Sequence, residues 1–187
     1  MSFKSVNGEP AHLKSPTAMG RPTSRNKFVT INEIEHFGFD DCVINKFDVS
    51  PAGISLLLDA LIIKRDNSQN SNYTDSYADI TTARFEEGRI ISGIKDGFRY
   101  YDADDNFISE EPDVELSAEE LKAFPKKSEG AYLYAIEKNG EENGELFYTL
   151  CVEFVDEEDS TMAESYQIRI AFAKAVFEWE KYMNRVQ

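Results

Sequence analysis

Asp102, Asp104 and Asn106 stand at the first, third and fifth positions of a twelve-residue window that closes on Asp113. That is the spacing of oxygen ligands in a calcium loop. Position six is Phe107, where such a loop needs glycine, and the residues before the window read as strand rather than helix. A plain hairpin turn is the better reading. His36 lies close in sequence to Cys42, beside Asp40 and Asp41, so a thiol nucleophile with a histidine base can be written down. Strand geometry gives those two no reason to face each other. His12 and His36 are the only histidines and Cys42 and Cys151 the only cysteines, too few for a zinc site. Two reduced, mostly buried thiols are the expectation for the cysteines. No G-x-S-x-G, H-E-x-x-H, phosphate-binding loop or dinucleotide glycine pattern occurs, so no metal or cofactor is called for. Scattered carboxylates leave hydrolysis by paired acids open, because acids are too plentiful for spacing to discriminate.

Charge is the strongest signal. The 187 residues carry a formal net charge of −15. Residues 1–27 hold Lys4, Lys14, Arg21, Arg25 and Lys27 against Glu9, which is +4, so residues 28–187 carry −19. Two blocks dominate. Asp102 to Glu120 has nine carboxylates and no lysine or arginine; Glu137 to Asp159 has nine carboxylates and only Lys138. Such a surface repels nucleic acid and anionic membrane and attracts a basic protein. Within the blocks, Asp102, Asp104, Asp105, Glu110 and Glu111, and Asp156, Glu157, Glu158 and Asp159, are the candidate partner-binding residues. A merely solubilising role is the alternative.

The elements that position these residues read as mostly β. Residues 1–27, with Pro10, Pro16 and Pro22 and no periodicity, read as a flexible basic arm, and residues 28–187 as a single β-rich domain. The most apolar run is Gly53 to Lys64. Ile54 to Ile63 is apolar on both faces and reads as a central strand covered on both sides. Asp59 within it is costly to bury unpaired, so it reads as tied to a neighbouring strand, with Arg84 a candidate partner, or as reaching solvent. Cys42 to Val49 forms a hairpin with it through Ser50-Pro51-Ala52-Gly53. Residues 65–79 make a long polar loop whose Tyr73 and Tyr77 are candidate ligand contacts. Ile80 to Glu86 and Arg89 to Lys95 read as strands around Glu87-Gly88, and Phe98 to Tyr101 with Asn106 to Ser109 as a hairpin. Ser117 and Glu120 form a capping box for a short helix that should stop at Pro125. Asn139-Gly140 and Asn143-Gly144 flank a further hairpin turn between Ala131 to Lys138 and Glu145 to Val155. Ser165 to Phe172 alternates as a strand. Ala173, Val176, Phe177, Glu180 and Met183 then sit at helical spacing, beside Trp179 and Tyr182. They predict a C-terminal amphipathic helix; one helix from Thr161 to Asn184 is the alternative. The fold expected is a mainly β, α+β domain: a strongly curved antiparallel sheet or barrel, with a short helix and a C-terminal amphipathic helix.

Phe37 to Val49, FGFDDCVINKFDV, followed by a turn and SLLLDALII, resembles the opening of small bacterial β-domain families that include toxin-immunity proteins. Those open with Phe-His-Asp before an apolar strand; here the histidine position is Asp40. The resemblance covers residues 37–63 and transfers no functional residue.

The N-terminus lacks an apolar signal core and no run of about 18 apolar residues occurs, which points to a cytoplasmic protein. The function expected first is a non-enzymatic acidic module that occupies a basic, nucleic-acid-binding surface of a partner. Nuclease inhibitors of the toxin-immunity or phage anti-defence kind are the natural examples. A β-barrel that binds a small molecule or hydrolyses through carboxylates is the alternative, and an interaction domain with a solubilising surface is the third.

Overall fold

In the computed structural model, which describes residues 28–155, 158 and 163–187, the apolar run Gly53 to Lys64 is not one strand. The flexible basic arm expected over residues 1–27 lies outside the described residues. The run breaks at Ala60, whose φ of +55° is left-handed. Asp59 supports that bend by accepting the Ala60 amide on Oδ1 at 2.8 Å. Ile54, Leu56 and Leu58 point into the core, while Leu57 is half-buried and Asp59 exposed. The expectation of a strand covered on both sides is therefore corrected. Asp59 reaches solvent, and the candidate partner Arg84 is corrected: it stands opposite Ser55 and forms its ion pair with Glu178.

Sixteen strands and one α-helix are described. The chain opens with β1 (Phe28–Ile31), a 3-10 turn (Ile34–His36) and β2 (Phe37–Gly38). The hairpin of β3 (Val43–Ser50) and β4 (Gly53–Asp59) follows, then β5 (Ile62–Ile63), β6 (Ser76–Ala78), β7 (Thr81–Glu86) and β8 (Arg89–Lys95). A second hairpin, β9 (Phe98–Tyr101) and β10 (Phe107–Glu111), leads to β11 (Val114–Glu115) and helix α1 (Ala118–Lys127). The long hairpin β12 (Tyr132–Glu142) and β13 (Glu145–Phe154) precedes β14 (Glu164–Phe172), β15 (Lys174–Trp179) and β16 (Tyr182–Arg185).

Ten strands form one antiparallel sheet in the order β1-β15-β7-β4-β3-β12-β13-β14-β8-β11. β3 and β12 meet only near Val43 and Tyr132, which divides the sheet into two halves. β7 runs on into β8, and β14 into β15, across that division. The halves face each other over the core, where Phe85 of β7 meets Phe172 of β14 with ring centroids 4.9 Å apart. The end strands β1 and β11 do not pair, so the sheet is not a closed barrel. A four-stranded sheet, β16-β6-β5-β2, covers one side, with Phe37 stacked on Phe177 at 4.5 Å. Trp179, Phe85, Phe124, Phe172 and Phe177 are fully buried, each contributing roughly 1.5–3 kcal/mol through removal from water.

The C-terminal amphipathic helix is the main correction. Ala173 to Met183, and Trp179 and Tyr182 with them, belong to β15, β16 and the links beside them; a single helix from Thr161 to Asn184 is excluded by the same strands. Ala175, Val176, Phe177 and Trp179 are all buried, so the run satisfies a strand period as well as a helical one. Hydrogen bonding to β1 on one edge and β7 on the other decides for strand.

Helix α1 begins on the expected capping box: Ser117 Oγ accepts the Glu120 amide and Glu120 Oε2 accepts the Ser117 amide. It runs through Pro125 to Lys127 rather than stopping there, since a proline this near the end costs little hydrogen bonding. Its buried Phe124 packs edge-on against Phe154 and tilted against Tyr166.

Candidate functional site

Residues Phe98 to Glu111 leave the main sheet as a hairpin of their own. β9 and β10 form a separate two-stranded sheet, and all nine of their residues are exposed. Large apolar side chains are among them: Phe107 is 57% and Ile108 62% accessible, and Phe98, Tyr100 and Tyr101 are exposed too. Between Phe98 and Asp113 six carboxylates stand against one cation, Arg99, which meets Glu110 at 3.3 Å. A protruding ribbon of rings and carboxylates has little folding role of its own, because it buries almost nothing.

The turn explains how the sequence builds the hairpin. Asp102 Oδ1 accepts the amides of Asp104 (2.9 Å) and Asn106 (2.8 Å), and Asp105 takes the left-handed conformation at φ +62°. The amide and side chain of Asn106 hold the Asp102 carboxyl below the usual carboxylate range. Asp102 is thus committed to its own turn, which accounts for the calcium-like spacing without a metal. Asp104 and Asp105 stand exposed at the tip. Register then sorts the rest: Phe98 opposes Glu111 and Arg99 opposes Glu110, while Tyr101 opposes Phe107 with rings edge-on at 6.0 Å.

Glycine fixes the root. A Cβ on Gly97 would lie 1.9 Å from the Glu111 carbonyl oxygen, so only glycine lets the two sides of the hairpin approach this closely. The Gly97 amide donates to Asp113 Oδ1 at 2.8 Å. Beside the root lies a cleft of about 470 Å³ lined by residues of β8, β9, β10, β11 and the start of β14. Lys95 Nζ donates to Glu164 Oε1 at 2.6 Å, and Tyr166 donates to Glu164 Oε2 at 2.9 Å. These two bonds, Lys95 first, hold the Glu164 carboxyl low. Asp96 is different: burial, with Asp113 adding like charge, raises its carboxyl, although Gln167 donates to it at 2.8 Å.

The structure places the first acidic set on one exposed element. Asp102, Asp104, Asp105, Glu110 and Glu111 share the hairpin, with Glu111 at the cleft. Of the second set, Glu158 is exposed, and Asp156, Glu157 and Asp159 lie outside the described residues. Phe154 pairs with Glu164, and Glu164 and Ala163 line the same cleft as Glu111. Tyr73 and Tyr77 are elsewhere. Tyr73 is 86% accessible at φ +59°, at the surface of a loop tied down by Asn70, whose Nδ2 donates to the Ile63, Lys64 and Thr74 carbonyls. Tyr77 lies in β6 and donates its hydroxyl to Asp41 Oδ2 at 2.6 Å, which pushes its phenol up.

Cys42 is fully buried, and burial, then the charge of Asp59, pushes its thiol up to about 12. A protonated thiol of that kind is no nucleophile at neutral pH. His36 Nδ1 lies 3.1 Å from Asp66 Oδ2. Both cysteines are free and buried.

Asp96 and the cleft are not among the residues that the sequence singles out. The signal it had was Asp96-Gly97 between two strands, next to a stretch, FRYY, with no apolar alternation. No helix among the described residues is long and apolar enough to cross a membrane. Compared with protein-family models, curated proteins and solved structures, the chain matches none.

Proposed function

We propose that the protein is a non-enzymatic, acidic binding module that occupies a basic, nucleic-acid-binding surface of a partner, as a nuclease inhibitor of the immunity or anti-defence kind does. One observation carries this reading: the exposed hairpin of β9 and β10 carries aromatic rings on its strands and carboxylates at its turn and at the end of β10. A groove built for nucleic acid combines cations that track phosphates with surfaces on which bases stack. The hairpin offers both chemistries on a narrow ribbon that reaches away from the body. Asp104, Asp105 and Glu110 stand in for phosphates, and Tyr101 and Phe107 for stacked bases.

The test is inhibition of purified nucleases encoded in the same genomic neighbourhood, with association rates measured across salt. Inhibition is expected to weaken steeply as salt rises, and the association rate to carry most of the change. Asp104→Lys with Asp105→Lys and Glu110→Lys should slow association about tenfold or more while the fold persists. Charge reversal at Asp156, Glu157, Glu158 and Asp159 tests the second set separately. Parent-like inhibition by both reversed variants overturns the reading, as does failure to inhibit any of those nucleases.

A further inference from the structure

We propose that the cleft at the root of the hairpin is a subsite for one arginine side chain of the basic partner. The proposal rests on the function proposed above and names a specific contact within it.

The cleft falls in the size range of ligand sites, at about 470 Å³. Phe98, Pro112 and Val114 give it apolar walls, and Asp96, Tyr100 and Glu111 give it acceptors. Its own cation, Lys95, is bonded to Glu164, which also receives the Tyr166 hydroxyl, and its charge reaches Glu111 only through space. Asp96 and Glu111 are the carboxylates left over. Asp96 receives the amide of Gln167, and Glu111 the hydroxyl of Tyr100 at 3.1 Å. Neither forms an ion pair among the described residues. Burial already disfavours the ionised form of Asp96. A cation seated beside it relieves that cost.

The shape and chemistry favour guanidinium over ammonium. A guanidinium is planar, weakly hydrated and forked, so it lies along an aromatic or proline wall while donating to two separate carboxylates. An ammonium is compact and strongly hydrated, and gains less from apolar walls. The cleft is also continuous with the hairpin: Phe98, Tyr100 and Glu111 belong to both. A partner that grips the hairpin therefore brings its own basic side chains to the cleft mouth.

The test uses the full chain and three small probes: blocked arginine, blocked lysine and blocked citrulline, each with acetylated amine and methylamide terminus. Amide resonances are followed by NMR during titration. Blocked arginine is expected to give saturable shifts at Gly97, Val114 and the Gln167 side chain, blocked lysine to bind at least fivefold more weakly, and citrulline not to bind. Asp96→Asn combined with Glu111→Gln should weaken arginine binding at least tenfold with the rest of the spectrum unchanged. Phe98→Ala, at an exposed position, should weaken it by removing a wall. Absence of saturation, equal binding of citrulline or lysine, or unchanged affinity in both variants overturns the subsite. The probe needs no nuclease. A chain that inhibits a nuclease but ignores arginine loses the subsite alone; a chain that binds arginine but inhibits no nuclease loses the function proposed above.

Discussion

The Ala173 amide donates to the Glu86 carbonyl at 2.9 Å, at the point where two neighbouring strands turn a corner together. β7 passes into β8 through Glu87-Gly88 on one side of that bond, and β14 into β15 through Ala173 on the other. Lys174 pairs with Glu86 at 2.8 Å beside it. The corner folds one half of the sheet over the other, and so encloses the core.

That corner is intolerant of side chains. Gly53 lies against it at φ +138°, and a Cβ there would meet the Phe85 carbonyl oxygen at 2.2 Å. Gly53→Ala should destabilise the protein by about 3 kcal/mol or more, since both backbone strain and a main-chain clash must be relieved. Urea unfolding followed by the fluorescence of the single tryptophan, Trp179, measures it. A loss below about 1 kcal/mol would show that the corner yields.

The hairpin turn should have its own pH dependence. The Asn106 amide, and then the Asn106 side chain, depress the Asp102 carboxyl below its ordinary value of 3.8. A depressed carboxyl stabilises the folded turn above that ordinary value, and the contribution disappears as pH falls through the lower folded value. The Asn106 amide resonance should therefore hold its position down to the ordinary carboxylate range and move only below it. Asp102→Ala should release the same amide at every pH. An amide that titrates at or above the ordinary value would mean that the carboxylate does not close the turn.

The thiols should be silent. Burial comes first in raising both, with Cys42 pushed up to about 12 and Cys151 to about 11. Asp59 adds to the first, Glu137 and Asp96 to the second. At pH 8 the thiolate fraction of either is on the order of one in a thousand or less. Native protein should react with a disulfide reagent orders of magnitude more slowly than protein in guanidinium, where both cysteines react at once. Fast reaction of one thiol in the native state would place it in an open, electropositive setting that the structure does not have.

What the sequence reveals and hides follows from the range of the interactions. The Ser50 to Gly53 turn, the Ser117 capping box and the turn at Asn143-Gly144 are local, and residue types alone locate them. The bulges are not local in that sense. A register shift between Ile44 and Lys46 turns Ile44 and Phe47 to the core together, where strict alternation would separate them. Another near Asn139 places Asn139-Gly140 inside β12 rather than in a turn. Ala173 to Met183 fits two periods at once, and only its neighbours β1 and β7 choose between them. The choice between a paired and a solvent-facing Asp59 is hidden for the same reason: the strand ends where the apolar run does not. The acidic surface is legible because charge needs no partner to be seen. The cleft is not, because Asp96, Glu111 and Glu164 come together only through the pairings of β8 with β11 and β14.

The last expectation separates the hairpin from the fold. Phe98 and Glu111 are paired neighbours, so Arg99 to Glu110 can be replaced by a two-residue Asn-Gly turn without moving Gly97 or Pro112. No residue of the core is removed, because every residue of β9 and β10 is exposed. A domain of this size shifts by about 2–4 °C in Tm per kcal/mol. The shortened protein should therefore melt within about 3 °C of the parent, with Trp179 emission unchanged, and bind no nuclease that the parent inhibits. The paired outcome is what matters. A drop of 10 °C would mean that the hairpin is part of the scaffold. Retained melting with retained inhibition would move the partner-binding surface away from Asp104, Asp105 and Glu110, and the segment around Glu158 would be the next to alter.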